Sequence, residues 1–280
     1  MSLFSKLISL KEETKRSKIV RLLTKPYMER HLHKVDKAYQ ETEDSRWLAS
    51  QKDIHKGRRC FIVGNGPSLT MDDLDLIKNE YSFGANSIFT CFDKTEWRPT
   101  YYLSVDRTSI ALDGERMTAL DLPCVMVDRT ISRYISNKPN NMHFLNLHMR
   151  GFATDKYTTS NIDYSDHPEI CLYGGYTVTY AAMQLALFMG FKEIILLGID
   201  HSYAWEVTSD NKIIVRGEHD DHFFEDKGPK GHLYYEGVEF AYALAKEKAA
   251  SKSAVILNAT RGGNLKVFDR VSLEKILCSS

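Results

Sequence analysis

Residues 173–200 read YGGYTVTYAAMQLALFMGFKEIILLGID, and the fold class can be argued outward from them. Gly174-Gly175 makes a turn, and behind it Val178, Ala181, Ala182, Leu185 and Phe188 fall at helical spacing. Gly190 suits the end of that helix, because glycine takes the left-handed conformation without a side-chain penalty. Lys192-Glu193 then introduce Ile194 to Ile199, an apolar run typical of a strand buried on both faces. Turn, helix and strand in this order belong to a parallel α/β sheet.

The same order appears earlier in the chain. Arg59-Cys60-Phe61-Ile62-Val63 reads as a buried first strand that stops at the turn Gly64-Asn65-Gly66-Pro67-Ser68. A helix is expected over 69–78, opened by Ser68 or Thr70 with Asp72 and Asp73 near its positive end. Further strands are expected at 81–89, 101–105, 122–127 and 143–147, then a helix over 234–251 and a strand at 254–257. The polar, His- and Asp-rich stretch 203–230 reads as a long loop or lid. These elements imply one nucleotide-binding catalytic domain over residues 57–280, with a polar lid loop at about 201–232.

Residues 1–50 stand apart as a basic amphipathic helical extension. Residues 1–40 hold ten Lys or Arg against four acids, and Leu3, Phe4, Leu7, Ile8, Ile19, Leu22 and Leu23 recur at roughly helical spacing until Pro26 interrupts them. Three readings fit: a helix packed on the body or on a second subunit, contact with an anionic membrane surface, or a loosely ordered tail. Over the whole chain Lys plus Arg and Asp plus Glu both number 37, so charge gives no reason to expect a nucleic-acid partner. The five cysteines form no CxxC pair, which argues for reduced thiols rather than a zinc ribbon or a disulfide framework. No apolar run approaches the roughly 20 residues of a membrane span, and a cleavable signal is not expected, since Lys6 breaks the apolar part of residues 1–10. The expectation is a cytoplasmic protein, with peripheral contact at the inner membrane face one role for residues 1–40.

Four features can carry chemistry. Gly64, Asn65, Gly66 and Ser68 form a turn where backbone and hydroxyl can meet a phosphate, although a turn of this composition can also merely connect strand to helix. Gly174, Gly175 and Tyr176, with Thr177 and Thr179 behind them, repeat the arrangement at a second helix start, where close helix–strand packing is the plainer reading. Asn86, Asp106 and Asp200 end apolar runs and so should share the carboxyl rim of the sheet. There they can hold a base, a sugar or magnesium, or simply cap turns. His201, His219, His222 and His232 cluster in or beside the polar loop, where one can act as a general base; as a zinc site the set is poorly spaced.

Taken together, Phe61 to Leu69, Gly84-Ala85-Asn86, Tyr101 to Asp106, Gly198-Ile199-Asp200, Asp221-His222-Phe223 and Asn258 to Gly263 resemble the MptE-like domain family over roughly 57–272. That family groups archaeal 6-hydroxymethylpterin diphosphokinases with many bacterial proteins of surface-glycan loci, and with the central domain of motility-accessory flagellin glycosyltransferases. The landmarks are also similar to bacterial sialyltransferases that use CMP-activated sialic acid. The resemblance implies a Rossmann-like, GT-A-type, mainly parallel sheet with helices on both faces. It implies nucleotide contacts at Asn65, Gly66, Ser68 and Asn86, a phosphate turn at Gly174-Gly175-Tyr176, a phosphate-assisting Tyr203, and a catalytic base at Gly231-His232. Three departures bear on the donor: Gly174 replaces the serine of the phosphate turn, a single tyrosine follows Gly198-Ile199-Asp200 closely, and His222 competes as base.

The implied function is a glycosyltransferase of surface-glycan assembly with a CMP-linked nonulosonic acid as donor, a glycan acceptor and no required cofactor or metal. The alternatives are an ATP- and magnesium-dependent diphosphokinase, with the ion on Asp106 and Asp200, and a non-catalytic nucleotide-binding scaffold.

Overall fold

Strand β1 (Arg59–Val63) lies at the centre of the sheet because its apolar run fills cores on both faces. Cys60 and Ile62 point into one buried cluster and Phe61 and Val63 into another, the period-two alternation of a strand covered on both sides. The computed structural model describes residues 26–148, 159, 162–209, 212–216 and 233–278. Its strands are β2 (Ser82–Ala85), β3 (Tyr101–Ser104), β4 (Val125–Asp128), β5 (Met142–Leu145), β6 (Leu147–His148), β7 (Leu172–Tyr173), β8 (Glu193–Leu197), β9 (Trp205–Val207), β10 (Ile213–Val215), β11 (Val255–Asn258) and β12 (Asp269–Arg270). The helices are α1 (residues 26–40), α2 (Glu43–Ser50), α3 (Met71–Leu76), α4 (Arg107–Thr118), α5 (Val178–Phe188), α6 (Tyr235–Ser251) and α7 (Leu273–Cys278).

Eight strands form one sheet in the order β12-β11-β8-β1-β2-β3-β4-β5, and every pairing in it is parallel. Residues of α5 and α6 pack into the core on one face, and residues of α3, α4 and α7 into the core on the other. This is the Rossmann-like α/β architecture expected from the sequence. Helix α5 is buried from Thr179 to Phe188, as a helix apolar on all sides must be. Its one buried amide, Gln184, donates to Tyr173 O (2.8 Å) and accepts from the Ser165 and Tyr173 amides, so the polar group is satisfied. No described helix is long and apolar enough to cross a membrane.

Several boundaries differ from the sequence reading for local reasons. The second strand ends at Ala85, next to the Asn86 expected to close the run, and residues 86–91 leave the strand because Asn86 adopts a left-handed φ of 49° and starts a 3₁₀ turn, Asn86–Cys91. The run at 143–147 is split by buried Asn146, whose Nδ2 donates to Asp36 and to Ile170 O. Of the polar loop, the described part contains the antiparallel pair β9–β10, while residues 217–232 lie outside the described residues. Residues 1–25, which carry most of the basic amphipathic pattern, lie outside them as well.

The rest of the N-terminal segment is bonded to the body. Tyr39 is 2 % exposed and its hydroxyl donates to Phe144 O at 2.8 Å; Ser45 Oγ donates to Glu169 O at 2.6 Å. Lys138 pairs with Asp44 at 2.5 Å, and Trp47 stacks on His143 with ring centroids 3.5 Å apart. Tyr39→Phe is therefore expected to cost about 1 kcal/mol in urea unfolding, the usual net worth of one hydrogen bond. An unchanged midpoint would mean that this helix does not rest on β5 in solution.

Candidate functional site

In sequence order the sheet grows from β1 through β2, β3, β4 and β5 in one direction, then restarts at β8 on the other side of β1. The carboxyl ends of β1 and β8 therefore diverge at a topological switch point, where open α/β sheets bind ligands. A cleft of about 630 Å³, part of it open to solvent, lies there. Its walls are the Gly64-Asn65-Gly66 turn, Ala85-Asn86, the Thr177-Val178-Thr179 helix start, the Gly198–Tyr203 segment, and Leu233, Val238 and Tyr242.

The two glycines of the first turn serve chain packing. A Cβ on Gly64 would stand 2.5 Å from Gly198 O, and one on Gly66 would stand 1.9 Å from Asp200 Oδ2. The Gly64 and Gly66 amides donate to Leu197 O (2.8 Å) and Gly198 O (2.9 Å), so these donors hold the β8 exit rather than face a ligand. Ser68 is engaged too: its hydroxyl and amide reach Asp200 Oδ2 at 2.8 and 3.4 Å. Burial pushes the Asp200 carboxyl above its ordinary value, against the Ser68 bonds that lower it. Asn65 Nδ2 donates to Ala85 O, while its buried Oδ1 has no partner among the described residues.

Asn86 lies in the cleft wall and is held in place by its neighbours. Its carbonyl accepts from Tyr102 Oη (2.6 Å) and its Oδ1 from Ser104 Oγ (3.2 Å), which fixes the side chain and leaves Nδ2 as a donor. Asp106, expected on the same rim, is exposed and absent from the cleft wall; its Oδ1 caps α4 by accepting the Ser109 amide at 3.1 Å.

At the second helix start the wall is made by Thr177, Val178 and Thr179, one turn beyond the expected Gly174, Gly175 and Tyr176. Gly175 and Tyr176 both take left-handed φ (52° and 65°) and aim the chain into the helix; a Cβ on Gly175 would meet the Tyr180 ring at 2.3 Å. Thr177 is the N-cap, its hydroxyl accepting the Thr179 amide. With the Thr177 and Thr179 amides bonded to Gly174 O and Thr177 Oγ1, the helix start turns the positive end of the α5 dipole toward the cleft. Tyr242 of α6, 2 % exposed, also lines the cleft. Nothing in the sequence places this tyrosine beside Thr177, because only the packing of α6 on α5 joins them.

His201 is the histidine that the described residues place in the cleft wall. It is 5 % exposed, has a left-handed φ of 53°, sets its Nε2 3.3 Å from Glu239 Oε1 and packs edge-on to Tyr235 at 4.7 Å. Burial holds its pKa below the ordinary imidazole value, with Glu239 pulling the other way. The neutral ring that results is a proton acceptor. Tyr203 also lines the cleft, its amide bonded to Tyr235 Oη at 2.6 Å. His222 and His232, the bases expected from the sequence, lie outside the described residues. Arg261 pairs with buried Asp73 at 2.5 Å.

A family model described as 6-hydroxymethylpterin diphosphokinase MptE-like matches residues 29–206. The match begins within α1, so the family unit includes the helices before residue 57, and it ends before the Asn258–Gly263 turn. No curated protein matches the chain in sequence. The matched span covers more than half of the chain and contains β1 to β8 with both turns of the cleft; the chain belongs to the MptE-like family.

Proposed function

We propose that the β1–β8 cleft binds a nucleotide-activated sugar and that the protein is a glycosyltransferase, with a CMP-linked nonulosonic acid as donor and a glycan hydroxyl as acceptor. The observation that carries this reading is the donor set. Among the described residues the cleft wall holds hydroxyls, amides and a helix N-terminus, and it holds neither lysine nor arginine. That set suits the single charge of a phosphodiester, as in a CMP-sugar, better than a triphosphate, whose transfer calls for cations around the phosphates.

In this scheme Asn86 Nδ2 reads the base or ribose, and the α5 start with Thr177 and Thr179 receives the phosphate. His201 takes the proton of the acceptor hydroxyl, with His232 and His222 as the competing bases to be tested beside it. The acceptor oxygen forms a bond to the anomeric carbon as the bond from that carbon to the phosphate oxygen breaks. CMP leaves, with Tyr203 and the helix start stabilising its phosphate.

The family's description favours a second reading, ATP-dependent diphosphate transfer to a hydroxymethylpterin or similar alcohol. The carboxylates expected to hold its magnesium do not converge, since Asp106 caps α4 outside the cleft wall and Asp200 Oδ2 is engaged by Ser68.

Thermal shift with CMP, CDP, UDP, GDP and ATP, with and without magnesium, separates the readings, because a ligand at about 100 times its Kd stabilises by about 2.7 kcal/mol. The expected result is stabilisation by CMP without magnesium. A response to ATP alone, dependent on magnesium, would transfer the assignment to the diphosphokinase. Silence toward all five would overturn nucleotide binding.

A further inference from the structure

Outside the cleft, Asp36 of α1, His148 of β6 and Cys171, the residue before β7, each offer one ligand atom, and these atoms all lie within 4.8 Å of one another. We propose that Asp36, His148 and Cys171 form a zinc site that clamps α1 to the β6–β7 ribbon. A carboxylate, an imidazole and a thiolate converging from three separate chain segments match the oxygen, nitrogen and sulfur preferences of zinc, and the thiolate disfavours magnesium or calcium.

The geometry needs small adjustments. Zinc bonds of about 2.0 to 2.3 Å at tetrahedral angles set ligand atoms about 3.5 Å apart. His148 Nε2 and Asp36 Oδ1 now stand at 2.7 Å and open slightly to admit the ion, while the widest pair closes by about 1 Å. Outer groups are in place to orient the ligands. Asn146, 2 % exposed, donates to Asp36 Oδ1 at 2.7 Å, and the His148 ring meets Tyr173 edge-on at 5.5 Å. A water would complete the fourth position.

The clamp sits upstream of the cleft. His148 O accepts the Gly174 amide at 3.1 Å, and Gly174 begins the turn into α5. Zinc here would fix that turn as well as α1, which is a structural role separate from the transfer chemistry.

The test uses the full chain, without an affinity tag and without chelators. Elemental analysis is expected to find about one zinc per chain, the stoichiometry of a single site. Cobalt exchanged into the protein is expected to show a thiolate-to-cobalt charge-transfer band. Cys171→Ser should lose the band and Asp36→Asn should bind zinc at least about tenfold more weakly, the low end for losing a metal partner. Exposed Cys278 is the control, and Cys278→Ser should change neither readout. Folded wild-type protein that takes up no zinc and gives no thiolate band would overturn the proposal, whatever the variants do. Equal zinc affinity in wild type and Cys171→Ser would overturn it too.

Discussion

Replacing Gly66 by alanine is expected to destabilise the protein by about 2 to 3 kcal/mol and to remove its response to nucleotide, the range for overpacking a tight site. The new methyl would stand 1.9 Å from Asp200 Oδ2 and 2.8 Å from Gly198 O. Neither neighbour can yield cheaply. Asp200 is held by the Ser68 hydroxyl at 2.8 Å and its backbone carbonyl by the Asn264 amide at 2.7 Å, while Gly198 O accepts the Gly66 amide itself. The turn must therefore move away from β8, and the cleft between them changes shape. Urea unfolding followed by tryptophan fluorescence, with and without CMP, reads both effects. A variant with the wild-type midpoint and an intact CMP response would show that the close approach of the two strand exits is not what shapes the site.

His201→Ala is expected to lower turnover by a factor of about 10² to 10⁴, the usual contribution of a general base, with little change in donor KM. Position and protonation state both suit the ring to this role. The ring lies in the cleft wall, its backbone is held at a φ of 53° that non-glycine residues seldom adopt, and its Nε2 faces Glu239. In the tautomer that donates from Nε2 to Glu239, Nδ1 is the acceptor. Because burial depresses the pKa, the wild-type rate should hold down to below about pH 6.5 and fall only at lower pH, as the ring becomes protonated.

Stability follows the same sign. A buried neutral imidazole contributes stability above its unfolded pKa, and that contribution is lost as pH falls from about 6.5 through the depressed folded value. His201→Ala should flatten this limb in both rate and stability. If it leaves turnover within about tenfold while His232→Ala or His222→Ala abolishes it, the base role passes to the polar loop.

The parallel sheet was legible because its strands are apolar on both faces and end at glycines or polar residues, as at Val63-Gly64 and Leu197-Gly198. The pairing of their exits is tertiary: sequence reveals two turns, but the adjacency of β1 and β8 puts Gly66 against Asp200. The same adjacency explains why glycines read as ligand contacts turn out to be engaged with chain. The place of Asn86 on the cleft wall was legible from its position at the end of a run, although its left-handed backbone was not, since no local pattern announces the Tyr102 and Ser104 bonds that hold it. Asp106 shared the same signal and took the commoner outcome of a helix cap. Tyr242 gave no signal at all, being one more ring in an amphipathic helix until α6 docks on α5.

The measurement that bears most directly on the central claim is a crystal structure of the protein with CMP. The account predicts the nucleotide in the β1–β8 cleft, with the base or ribose within hydrogen-bonding distance of Asn86 Nδ2 and the phosphate at the α5 start between Thr177 and Thr179. A nucleotide bound elsewhere on the molecule, with this cleft filled only by water, would contradict it.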